Sequence, residues 1–120
     1  MKNVDEMSLD QRIMELQQCV SKARVGAANP GSVQYEFLLN SKLGDERDEK
    51  LSYFESILAK AGEWKRGKFD SLDYDVRQQT ITDINNKLVE SLLAFPGYAK
   101  TEELNEYNEK DSNKSAGLGR

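Results

Sequence analysis

The stretch GDERDEKLSYFESILAKAGEWKRGKFDSLDYDVRQQTITDINNKLVESLLAFP, residues Gly44 to Pro96, decides the fold. Leu51, Phe54, Ile57, Leu58, Ala61 and Trp64 recur at steps of three and four, which places them on one side of a helix predicted over Asp45–Arg66. Lys50, Glu55, Lys60 and Glu63 fall on the opposite side. Asp45, Glu46, Asp48 and Glu49 crowd the first turn, and Lys60, Lys65 and Arg66 the last, a polarity that complements the helix macrodipole. Gly67 suits a left-handed stop. Gly62 costs about 1 kcal/mol relative to alanine, and its bare backbone offers a place for another chain to approach closely.

A second helix is predicted over Ser71–Phe95. Tyr74, Ile81, Ile84, Leu88, Leu92 and Phe95 form its apolar stripe, widened by Val89 and Leu93. Asp70 or Ser71 can cap its start. Pro96-Gly97 ends it, because proline lacks an amide and disfavours helix at the residue before it. The short segment between the two helices predicts an antiparallel hairpin.

Towards the N-terminus, Ser8-Leu9-Asp10-Gln11 has the form of a capping box. Leu9, Ile13, Leu16, Val20, Ala23 and Ala27 then alternate by four and three, a heptad seam of under three heptads. Such a seam serves either as an ordinary core face or as a strip that pairs with a second copy. Residues 1–7 are expected to fray. Gly26 to Gly31 reads as a break, with Asn29-Pro30-Gly31 its strongest signal. Ser32 can cap a short helix ending near Leu43, although Val33, Tyr35, Phe37 and Leu39 also alternate with the strand period. Helix is the preferred reading, since a lone strand would leave an unpaired edge.

Beyond Pro96-Gly97, Thr101 to Arg120 is rich in Glu, Asn, Lys, Ser and Gly. Such a composition buries too little surface to offset its ordering entropy. The expectation is an all-α protein: a bundle of three to four helices over 8–97, a central antiparallel helical hairpin, and a polar, flexible tail over 98–120. A short helix from Glu102 to Tyr107 is allowed within the tail.

With 120 residues the chain makes one domain. Its net charge of -4 argues against a general nucleic-acid binder, which carries a basic face. No apolar run reaches the length that spans a bilayer, and the first residues lack a hydrophobic signal region, so a soluble cytoplasmic protein is expected. The chain has no histidine, which removes Ser-His and Cys-His nucleophile pairs and histidine-ligated zinc. Cys19 is the single cysteine, so no internal disulfide forms. It is read as a small buried side chain and not as a nucleophile.

Two carboxylate pairs remain, Glu46/Glu49 and Asp70/Asp73, each spaced i,i+3. Facing each other, they would offer oxygen ligands to Mg²⁺ or Mn²⁺. The arrangement resembles the E-x-x-E…E-x-x-D pattern of the all-α nucleoside triphosphate pyrophosphatases. That resemblance implies a divalent-metal-dependent nucleotide hydrolase. The second pair departs from it, with Asp where that family has Glu. Acids in helix first turns also serve the dipole and the caps, so no metal, cofactor or catalytic residue is expected.

Trp64-Lys65-Arg66-Gly67-Lys68-Phe69 is the one basic-aromatic cluster. Aromatic rings stack on bases and cations hold phosphates, so Lys65, Arg66 and Lys68 make a nucleic-acid-associated factor the alternative reading. The other use of Trp64 and Phe69 is to close the hairpin end. The leading expectation is a non-catalytic protein–protein interaction module, such as an adaptor, chaperone or inhibitor. Its partner would be another protein or a second copy, giving a homodimer. The candidate contact residues are Leu9, Ile13, Leu16 and Val20 on the seam, with Trp64, Lys65, Arg66 and Lys68 at the turn.

Overall fold

Helix α1, Leu9–Ala28, is the element against which the other helices of the bundle pack. The computed structural model describes residues 1–106. In them α1 is followed by α2 (Val33–Leu39), α3 (Arg47–Lys65) and α4 (Tyr74–Leu92), with residues 101–106 again helical. The protein is an all-α bundle, as its apolar periodicity predicts. The final ten residues, expected to be disordered, lie outside the described residues, as does Tyr107.

The α1 cap forms as its sequence dictates: Ser8 Oγ accepts from the Gln11 N–H at 3.2 Å. Ile13, Leu16, Val20 and Ala23 are buried, with Leu9 and Ala27 packed against the same core. The helix does not break at Gly26 as expected but runs to Ala28. The reason is a close crossing. A Cβ at Gly26 would lie 2.3 Å from the Gln34 carbonyl oxygen, so α2 lies backbone against backbone on this turn.

The segment after Pro30 is helical, not extended. Ser32 Oγ accepts from the Tyr35 N–H at 3.1 Å, and the helix ends at Leu39, earlier than expected. The alternation fails as a burial pattern: Val33 and Leu39 face solvent, whereas Leu38 is buried. Leu43 is also buried, and the Lys42 N–H donates to the Ala94 carbonyl at 2.8 Å, tying this loop to the end of α4.

Helices α3 and α4 run antiparallel. Phe54, in the first half of α3, meets Phe95, just past the end of α4, so numbers rise along one helix as they fall along the other. Helix α3 ends in a Schellman motif. The Lys68 N–H donates to the Glu63 carbonyl (3.1 Å) and the Gly67 N–H to that of Trp64 (3.0 Å), with Gly67 at φ 79°. The connection, residues 66–73, is longer than the four or so residues expected. Tyr74 opens α4 but is 66% exposed instead of starting the buried stripe. Phe95 joins the layers: its ring stacks on Phe37 and meets Phe54 edge-on, both at 5.7 Å between centroids.

The expected fraying of residues 1–7 does not occur. Lys2–Asn3 (β1) pairs in parallel with Tyr98–Ala99 (β2), and Val4 and Met7 enter the core. The Lys2 N–H donates to the Gly97 carbonyl at 2.8 Å, and the Thr101 N–H to Asp5 Oδ2 at 2.8 Å. Two short flanks, each too polar to fold alone, satisfy one another's backbone and shield the open end of the bundle. The folded unit thus extends past 8–97 at both ends. Among the described residues, no helix is long and apolar enough to cross a membrane.

Candidate functional site

The seam residues fill the chain's own interior. Leu16 and Val20 are buried, Ile13 is nearly so, and Leu9 packs against them. They are covered by α3, α4 and the N-terminal turn, so a partner must meet other residues.

The basic-aromatic turn is likewise largely self-satisfied. Lys65 Nζ lies 2.7 Å from Asp10 Oδ1, and Lys68 Nζ lies 3.0 Å from Glu63 Oε1. Trp64 and Phe69 pack together with centroids 6.1 Å apart, closing the hairpin end. The guanidinium of Arg66 reaches back towards Gly62 on its own helix. Two of the three cations thus meet chain carboxylates, in pairs that stay largely exposed.

The acid pairs stand at opposite ends of α3. Glu46 and Glu49 flank its start, whereas Asp70 and Asp73 follow its end, and a helix of that length separates them by roughly 28 Å. They cannot share an ion. Among the described residues, no group of three or more potential ligands is placed to hold a metal.

One polar cluster was not foreseen. Glu15 is buried on α1, where its carboxylate receives Lys2 Nζ (3.1 Å to Oε2, with a second bond to Oε1) and the Tyr98 hydroxyl (3.1 Å). Cys19 Sγ donates to the same hydroxyl at 3.5 Å. Burial is the main influence on both groups. It pushes the Cys19 thiol up from its ordinary value and the Tyr98 phenol well above its own. Both therefore stay protonated near neutrality. A protonated, covered thiol is not a nucleophile, and the cluster works as a clasp that pins β1 and β2 to α1. The sequence carried no signal for it, because Tyr98, which joins Glu15 to Cys19, is distant along the chain from both.

The outward side of α1 has a second repeat. Met14, Gln18, Ser21 and Val25 follow one another at steps of four, three and four, and all are exposed, Met14 at 52% and Val25 at 44%. Every charged side chain of α1 is engaged within the fold. Asp10 meets Lys65, Arg12 donates to the Val4 carbonyl and to Asn85 Oδ1, and Glu15 meets Lys2. Lys22 sits 4.4 Å over the Phe37 ring, and Arg24 Nη2 lies 2.7 Å from Glu55 Oε1. On this side an uncharged strip runs beside a shallow groove that Lys22 and Gln34 of α2 also line. Its spacing was legible in the sequence, but two interleaved repeats on one helix do not say which one turns inward.

Compared with protein-family models, with curated proteins and with solved structures, the chain matches none.

Proposed function

We propose that the chain is a non-catalytic protein–protein interaction module whose α1 outer strip pairs with the same strip of a second copy. One observation carries this reading: each of the five charged side chains of α1 has a partner within the chain, and Met14, Gln18, Ser21 and Val25 follow one another in solvent as an uncharged heptad strip with Lys22 beside it. The strip is self-complementary. In an antiparallel pair related by a two-fold axis, Met14 of each copy meets Val25 of the other, and Gln18 meets Ser21. Polar residues at such positions cost stability but fix register, and the contact is short, so the dimer is weak and transient. The buried, protonated Cys19 and the absence of histidine support a role carried by surfaces and not by chemistry. The free thiol also suits a reducing compartment such as the cytoplasm.

Size-exclusion chromatography with light scattering over a concentration series tests the proposal. The mass is expected to rise towards twice the 13.6 kDa of one chain at high-micromolar concentration. Met14→Glu/Val25→Glu is expected to hold it at one chain, with its helical circular dichroism intact because both sites are exposed. A strict monomer throughout the series removes self-pairing.

A further inference from the structure

The chain holds four sulfur atoms, in Met1, Met7, Met14 and Cys19. An oxidant meets them in an order set by exposure and by thiolate character. A cysteine ordinarily reacts through its thiolate, the stronger nucleophile. Here that advantage is lost. Cys19 is buried, its Sγ donates to the Tyr98 hydroxyl, and burial pushes the thiol up and keeps it protonated. A thioether has no proton to lose, so access decides its reactivity. Met7 is 6% exposed and lies in the core, against 52% for Met14. Met1 is exposed too, at the chain end. Met14 is the sulfur that is both open to solvent and part of the α1 outer strip.

We propose that Met14 is an oxidation site, and that peroxide-class oxidants release the pairing of two copies through it. The inference rests on the self-pairing reading and gives that site its regulation. In the step, a sulfur lone pair attacks one peroxide oxygen. The O–O bond breaks as an S–O bond forms, the proton on the transferred oxygen passes to the departing hydroxide, and water leaves. Sulfur loses two electrons and the peroxide gains them, which leaves methionine sulfoxide. The product sets a strongly polar acceptor where an apolar, polarisable sulfur had been. In the two-fold pair that acceptor faces Val25, which has nothing to donate, and a covered acceptor without a donor is costly. Gln18, one turn along α1, can turn its amide to the new oxygen only by leaving Ser21 of the other copy. Either way the pair loses a contact, and its symmetry makes the loss twice.

The test treats the full chain with hydrogen peroxide at neutral pH, locates the added oxygen by peptide mass mapping, and repeats the light-scattering series on the product. Oxidation at Met14 and Met1 is expected to be at least about tenfold faster than at Met7 or Cys19. The Kd for pairing is expected to rise by about tenfold or more, with helical circular dichroism unchanged. Methionine sulfoxide reductases should restore it. In Met14→Leu, where Met1 is still oxidised, the Kd values before and after peroxide should agree with each other. The inference is overturned if Met14 reacts no faster than Met7, or if the Met14 sulfoxide pairs as tightly as the untreated chain. It is equally overturned if helix content falls along with the mass, or if peroxide weakens Met14→Leu as much as it weakens the natural chain. A strict monomer before peroxide is added removes self-pairing itself, and its regulation with it, so the untreated series tells the two failures apart.

Discussion

A methyl group on Gly26 would stand 2.3 Å from the carbonyl oxygen of Gln34, so α1 and α2 cross with no side chain between them. Alanine there gains about 1 kcal/mol of helix propensity. It also forces two backbones apart at a cost of roughly 2–3 kcal/mol. The clash wins, and Gly26→Ala is expected to be net destabilising. At Gly62 a Cβ would meet only the tip of Arg66, 3.2 Å away, which can swing aside. Gly62→Ala is therefore expected to stabilise by about 0.5–1 kcal/mol. Urea denaturation of the two variants should show shifts of opposite sign; stabilisation by Gly26→Ala would contradict the crossing.

Val4 is fully buried, and Arg12 donates from both Nε (3.2 Å) and Nη2 (3.1 Å) to its carbonyl. Val4→Ala is expected to cost about 2 kcal/mol. Arg12→Ala, which leaves Asn85 Oδ1 without its donor and the Val4 carbonyl with the Met7 N–H alone, is expected to cost roughly 1–3 kcal/mol. Were the first seven residues frayed, the Val4 substitution would leave the urea midpoint unchanged.

Cys19 is covered, and its thiol is held protonated by burial. Alkylation by iodoacetamide at neutral pH is expected to be slow in the native protein and to reach the rate of a free thiol in urea. Native-state labelling as fast as that of a small-molecule thiol would mean that the clasp formed with Tyr98 is open in solution.

Stability is expected to fall at alkaline pH. Folding raises the proton affinity of Cys19 above its ordinary 9.0 and of Tyr98 above its ordinary 10.0. Each group's contribution is then intact below the unfolded value. It is lost progressively at higher pH, as the unfolded chain ionises first. Thermal midpoints measured from pH 7 upward should hold level and then decline beyond pH 9. Cys19→Ala/Tyr98→Phe should flatten that decline. An unchanged decline in the double variant would assign it to other groups.

Several features were readable from neighbours in sequence. The Ser8 and Ser32 caps, the Gly67 stop, the stripe of α3 and that of α4 from Ile84 onward depend on residues within one or two turns, and they appear as the periodicity predicts. Leu9, Ile13, Leu16 and Val20 were recognised as apolar and in register, but not as covered by their own chain. The turn cations illustrate the same limit: Lys65 looks free in sequence because Asp10, its partner, is far away along the chain.

By itself the sequence determined that the chain is helical, where α1 and α2 start and where α3 stops, because caps, stops and apolar periods act through local backbone geometry. Tertiary structure alone decided which of the two α1 repeats faces inward, where the backbones of α1 and α2 touch, and that Lys2 and Tyr98 close over Glu15. An apolar period says that a face must be covered, not by what. That choice rests on packing between segments distant in the chain, where burial of the whole core outweighs any local preference.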